Sequence, residues 1–146
     1  MFSKACQYGI KAVVYIASQS SLGQRASLKD IAFNINSPEA FTAKILHQLA
    51  KNNLLDSLKG PAGGFVIPPG RTEEIKLSHI VSAIDGDAIY MGCALGFESC
   101  DARQPCPMHP KFVAIRNDLR EMLENTSLSE LADGVDDGLA FLKRNY

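Results

Sequence analysis

Apolar positions change their spacing along this chain, and each change marks an element. Between Cys6 and Ser18, Ile10, Val13, Val14 and Ala17 recur at helical intervals, so the segment reads as a helix with one apolar face. Leu22, Gly23 and Gln24 break it. Ser27 stands three residues before Asp30, close to a capping box, and opens a short helix through Ile31, Ala32 and Ile35. Asn34 to Ser37 has turn chemistry. Ser37 followed by Pro38 is a strong helix start, because a hydroxyl can cap and the missing proline N–H costs nothing at the first helical position. The helix that follows carries Phe41, Ile45 and Leu49 on its expected buried face, with Leu46 beside them, and runs to about Asn52.

Two short apolar segments, 54–58 and 65–67, flank the sequence KGPAGG and predict a hairpin with a glycine-rich tip. Helix, short helix, turn, longer helix and hairpin is the order of a winged helix-turn-helix. Ser78 to Asp85 reads as another helix, ended by Gly86. Farther on, Met108, Phe112, Ile115, Leu119 and Met122 are spaced 4, 3, 4 and 3 residues apart, the a/d seam of a helix starting near Pro110. Two heptads do not define a coiled coil, and such a seam can equally pack on its own domain. Arg116, Asp118, Arg120, Glu121 and Glu124 form its polar face. Ser127 and Glu130 make a second capping box, opening a C-terminal segment weakened by Gly134 and Gly138. The expected fold is mainly α with a small β-hairpin wing.

Composition adds a packed core to this picture: 46% of the 146 residues are hydrophobic and 21% charged. The N-terminal segment is interrupted by Lys4, Gln7, Tyr8 and Lys11 and lacks the pattern of a signal peptide. No apolar run is long enough to span a membrane. A cytoplasmic protein without a membrane partner is therefore expected, in which thiols stay reduced. The net charge of −1 hides an asymmetry. Residues 1–70 hold seven Lys/Arg against three Asp/Glu, and residues 71–146 hold eight against thirteen. A basic first half points to a polyanion as its partner.

With a winged helix, double-stranded DNA is that partner. Ser37, Glu39, Ala40, Thr42 and Lys44 stand at the N-terminal end of the recognition helix, where base edges are read. Thr42 is expected to bond a base or touch a thymine methyl, and Glu39 to accept from a cytosine amino group. Lys44, Lys51 and Lys59 suit phosphates, and the N–H groups of Gly63 and Gly64 can approach the backbone. His47 reads as a surface or hairpin-packing residue, His79 as structural and Cys6 as a small buried hydrophobe.

Three of the four cysteines and one of the three histidines fall between residues 93 and 110, as Cys93-x6-Cys100-x5-Cys106-x2-His109. Structural zinc sites usually pair their ligands two to four residues apart in tight knuckles. Gaps of six and five instead wrap a loop around something larger than one ion, as an iron–sulfur cluster requires. Zinc on three cysteines and a histidine stays open, as does a metal-free loop acting by thiol oxidation. No nucleophile–base pair and no phosphate loop is present, so neither catalysis nor a small-molecule substrate is expected.

These motifs resemble the Rrf2 family of bacterial transcription regulators over nearly the whole chain. The resemblance rests on YGIKAVVYIA in the first helix, SPEAFTAKILHQLAKNNLL for the recognition helix and its connector, KGPAGGF for the wing, VSAIDGD before the cysteines, and the loop ending in CPMH. It implies a homodimeric DNA-binding regulator with Cys93, Cys100 and Cys106 as cluster ligands. His109 falls where IscR-like members place a fourth ligand, and this favours 2Fe–2S over 4Fe–4S. Other members recruit an Asp from the partner's first helix, and the matching position here is Gln7. The first cysteine gap is one residue longer than the family's usual five. Three parts are thus expected: a winged-helix domain at 1–70, a connector helix and cluster loop at 71–109, and a dimerisation helix with the C-terminal segment at 110–146. Phe112, Ile115, Leu119 and Met122 would form the dimer seam. The alternative is a zinc-bound or metal-free thiol-redox regulator, or a partner-binding module, of the same fold.

Overall fold

The Ser3 side chain accepts the N–H of Cys6 and starts the first helix, α1 (Lys4–Ser21). The structure is a computed structural model and describes residues 1–145. Ser27 accepts from Asp30 N–H as its spacing predicts and opens α2 (Leu28–Ile35), which ends at Asn36 in the left-handed conformation, φ 54°. After the turn come α3 (Glu39–Lys51) and a two-stranded antiparallel hairpin, β1 (Asp56–Leu58) with β2 (Gly64–Val66). Ala26 pairs with Phe65, so the chain just before α2 acts as a third strand of the wing. The remaining helices are α4 (Arg71–Glu74), α5 (Leu77–Asp85), α6 (Ala88–Met91), α7 (His109–Asn125) and α8 (Leu128–Asp136).

Helix α1 is the axis of the core. Its buried face, Cys6, Ala12, Val13, Ile16 and Ala17, meets α2, α3, α5 and α8. Ile31, Ile35, Leu46 and Leu49 join from the helix-turn-helix, Ile80 and Val81 from α5, Leu123 from α7, and Leu128 and Ala132 from α8. One core therefore runs through all three segments of the sequence. Truncating a fully buried aliphatic such as Ile16 to Ala in such a core costs about 2–5 kcal/mol. Gly138, at φ 73°, turns the chain after α8, and the N–H groups of Leu139 and Ala140 both reach Gly134 O at 3.0 Å. The two glycines that weaken this helix on paper thus reverse the chain and send the tail back over α1 and α2, where Leu142 packs against the core.

Three details differ from the sequence reading. Pro38, not Ser37, is the N-cap of α3, and the Ser37 hydroxyl instead meets that of Thr42. The buried stripe of α3 is Thr42, Ile45, Leu46 and Leu49, while Phe41 is 36% exposed. Helix α7 begins at His109, one residue before Pro110.

The excursion from α5 to α7 leaves and returns at one point. Leu77 N–H donates to Thr126 O at 2.9 Å and Leu128 N–H to Ile75 O at 2.8 Å, with Lys76 paired to Ser127. Among the described residues no helix is long and apolar enough to cross a membrane.

Candidate nucleic-acid interface and cysteine pocket

The helix-turn-helix leaves one side of α3 uncovered. Glu39, Ala40, Lys44 and Lys51 are exposed there, with Phe41, His47 and Gln48 among them. Ser37 is half-buried. Thr42 is not on that side: it is 0% exposed, and its hydroxyl donates to Pro38 O at 2.7 Å. A direct base contact from Thr42 is therefore corrected. Its position, three and four residues before Ile45 and Leu46, puts it in the buried stripe, and its hydroxyl satisfies the first turn of the helix.

At the wing, Lys59 is exposed and Gly63 and Gly64 are half-buried. A Cβ on Gly63 would stand 2.3 Å from Leu58 O, so the tight tip accepts only glycine. Gly64, at φ 145°, lies against the Ala26 carbonyl, which a Cβ would meet at 2.8 Å. Arg25 pins the tip by donating to Ala62 O.

Cys93, Cys100, Cys106 and His109 all line one cavity of about 360 Å³. They arrive from different elements: Cys93 just past α6, Cys100 and Cys106 on the loop, and His109 as the first residue of α7. His109 N–H donates to Cys106 O at 3.0 Å, and its Nδ1 lies 3.3 Å from Cys100 Sγ. The backbone N–H groups of Leu95 and Phe97, and after them the Cys106 thiol, hold the Cys93 thiol below its ordinary pKa. Cys100 and His109 thus form one close donor pair among the four. Among the described residues no three His, Cys, Asp or Glu groups converge as a single metal ion requires. A set of three thiols and an imidazole lining one cavity fits the soft, anionic chemistry of an iron–sulfur cluster.

The loop that carries the cysteines is tied to α7 by a residue that the sequence left on a polar helix face. Arg116 of α7 donates to Gly92 O at 2.8 Å and to Cys100 Sγ at 3.5 Å, with its guanidinium 5.9 Å from the Phe112 ring. Its place one residue after Ile115 was the available signal, since long side chains beside an apolar seam reach over neighbouring backbone. Cys6 is 0% exposed, and burial, with the nearby Asp85 carboxylate, pushes its thiol pKa up to about 12. His79 accepts Lys76 N–H at 3.0 Å and caps α5. Gln7 is exposed and donates to Phe2 O.

On the candidate dimer seam, Phe112 and Leu119 are half-buried, whereas Ile115 and Met122 are 63% and 48% exposed. Leu119 packs on the chain's own core. The uncovered apolar surface of α7 is therefore narrower than the five-residue seam.

The family model for Rrf2, described as an iron-dependent transcriptional regulator, matches residues 2–134. The regulator IscR of Pectobacterium atrosepticum is 27% identical over 127 residues, covering 87% of this chain and 76% of its own. Two solved structures share the fold. CymR of B. subtilis, named the global cysteine regulator, aligns with a TM-score of 0.72 at 22% identity, over 91% of this chain and 96% of its own. IscR of T. potens aligns with a TM-score of 0.72 at 18% identity, over 100% of this chain and 94% of its own. The chain belongs to the Rrf2 family, and is a transcriptional regulator rather than an enzyme.

Proposed function

We propose that this regulator binds DNA as a homodimer and that an iron–sulfur cluster on Cys93, Cys100, Cys106 and His109 sets its affinity. One observation carries this reading: all four donors line a single cavity at the start of α7, although they span seventeen residues and separate elements. When bound, the cluster supplies a charge centre that responds to iron supply and redox state. The chain's own residues do the rest. Gly92 and the loop bring the donors to the cavity, Arg116 adds a positive charge beside Cys100, and α7 connects the pocket to the remaining core through Leu123.

Glu39, Ala40 and Lys44 are the side chains of α3 that meet the groove, and Lys51, Lys59 and the Gly63–Gly64 backbone meet phosphates. The Ile115 and Met122 surface, flanked by Phe112 and Leu119, joins two copies about a two-fold axis. A 2Fe–2S cluster is favoured over 4Fe–4S because His109 is available beside the three thiols. The test is anaerobic reconstitution with iron and sulfide, followed by metal and sulfide analysis and a visible spectrum. A brown protein with iron and sulfide bound supports the reading. A protein that stays colourless overturns it.

A second reading is favoured by the placement of the free cysteines Cys93 and Cys106 in the same cavity. There the regulator senses oxidant directly: the two thiols lose two electrons and two protons to hydrogen peroxide, which leaves as two waters, and a disulfide closes the loop. Mass spectrometry after peroxide treatment of metal-free protein separates the two readings, because only this one requires a Cys93–Cys106 disulfide to alter DNA affinity.

A further inference from the structure

We infer that Arg116 is a positioning residue: it holds a positive charge on the Cys100 sulfur and so raises the reduction potential of a cluster bound in the cysteine pocket. This rests on the reading of that pocket as an iron–sulfur site.

Cys93 and Cys100 keep different company. Around the Cys93 thiol the donors are chiefly backbone N–H groups, those of Leu95 and Phe97 foremost. Cys100 is met by side chains instead. His109 Nδ1 stands 3.3 Å from its sulfur, and Arg116 Nη2 donates to it at 3.5 Å. The Arg116 contact brings a full charge with its proton, which no peptide N–H does.

Two anchors fix that charge in place. Arg116 Nη1 donates to Gly92 O at 2.8 Å and leaves Nη2 for the sulfur, so one planar fork joins the residue before Cys93 to Cys100. The Phe112 ring, one turn back on α7, lies 5.9 Å from the guanidinium. No acid within 4.0 Å neutralises it, since the ion pairs among the described residues are Arg71–Glu74 and Arg103–Asp101. Two carboxylates do line the cavity, Glu98 and Asp101, and Arg103 engages the second.

A cluster on thiolates is anionic and becomes more so by one charge when it gains one electron. Hydrogen bonds to the sulfurs and the local net charge set the potential of that couple, and a cation on a ligand sulfur favours the reduced side. Arg116 is half-buried, so water weakens this influence without cancelling it. Arg120, one turn farther along α7, supplies the contrast. It reaches Tyr90 O at 3.5 Å on the same α6 segment and makes no hydrogen bond to a cysteine.

The test takes the full chain, reconstituted anaerobically with iron and sulfide, and titrates it with dithionite and mediator dyes at fixed pH. Dithionite is the electron donor, each cluster takes up one electron, and visible absorbance reports the midpoint. Arg116→Gln keeps an amide donor but no charge. It is expected to shift the equilibrium about tenfold toward the oxidised form, a fall of about 59 mV for one electron. Arg116→Lys keeps the charge without the fork, and a shift of roughly threefold is expected. Arg120→Gln should match the wild type. If Arg116→Gln carries full iron and sulfide at the wild-type midpoint, the inference fails and the cluster reading stands. If Arg120→Gln falls as far, loosening of the α6 segment sets the potential and the inference is overturned. Should Arg116→Gln hold no cluster, Arg116→Lys decides, and a wild-type midpoint there removes the positioning role. A wild type that stays colourless sinks both readings.

Discussion

Arg116 donates to the carbonyl of Gly92 at 2.8 Å, tying the second turn of α7 to the residue before the first loop cysteine. The bond joins a helix to the start of the loop that carries the cysteines. Arg116 is half-exposed, so water competes for it and the contact contributes about 1 kcal/mol. Replacing it with Leu is expected to raise hydrogen exchange at residues 93–106 several-fold while leaving α1 protected. Equal exchange in both proteins would show that the loop holds its shape without this tether.

The four donors are expected to be unequal. Cys100→Ala should abolish the visible absorbance of reconstituted protein, because the cavity would then hold only two of the three thiolates proposed to bind the cluster. His109→Ala should leave a cluster that forms but decays faster in air. Decay curves followed by absorbance distinguish the two, and identical curves for wild type and His109→Ala would remove His109 from the ligand set.

Thr42→Val keeps the shape of the side chain but removes a hydroxyl that bonds Pro38 O and meets Ser37. A loss of about 1–2 kcal/mol in urea unfolding is expected, with no change in the DNA sequence preferred. Glu39→Gln, exposed on the same helix, should do the opposite: near-wild-type stability and an altered preference at one base pair.

Dimerisation is best tested at Ile115. A charge at Leu119 would also disturb the chain's own core, whereas Ile115 is 63% exposed in the single chain. Ile115→Asp should therefore give a folded monomer in sedimentation velocity, with unchanged far-UV circular dichroism. A dimer that survives this change would place the interface elsewhere.

Cys6 supplies a pH-dependent test. Its thiol is raised from an ordinary 9.0 to about 12 in the fold, so its stabilising contribution is complete below pH 9.0 and is lost as the pH climbs toward 12. Cys6→Ala should cost about 1–2 kcal/mol at neutral pH. The gap between the two proteins should narrow by at most ~1.4 kcal/mol per pH unit in alkaline solution. Iodoacetamide at pH 8 should modify the loop cysteines of metal-free protein and spare Cys6.

Much of the architecture was legible in the residues because local chemistry dictates it. Ser27 and Ser127 cap α2 and α8 at the positions their spacing marks, Asn36 makes the expected turn, and Gly86 ends α5. The pattern failed where two faces compete. Phe41 looks like the core residue of α3 by size, yet Thr42 takes the buried place because Ile45, Leu46 and Leu49 share its stripe, and Tyr8 gives Phe41 a partner at the surface. The tail was illegible for another reason. Its partners, Phe33 and Asn36, lie more than a hundred residues upstream, and no periodicity encodes so distant a contact. The cysteine pocket was legible as a set of residue types, while its Arg116 brace depended on a fold that spacing alone does not supply.

The paired backbone bonds between 75–77 and 126–128 fix one end of α7, and the cysteine pocket occupies the other. Seventeen residues of helix make a lever arm of about 25 Å. A tilt of roughly 5° at the anchored end therefore carries the pocket end through about 2 Å, and the same tilt begun at the pocket turns the base against α5. Since α5 lies directly on α1 and α3, that base is also the mounting of the recognition helix. Under the proposed function, chemistry confined to one small cavity would thereby be geared to the pitch of a double helix.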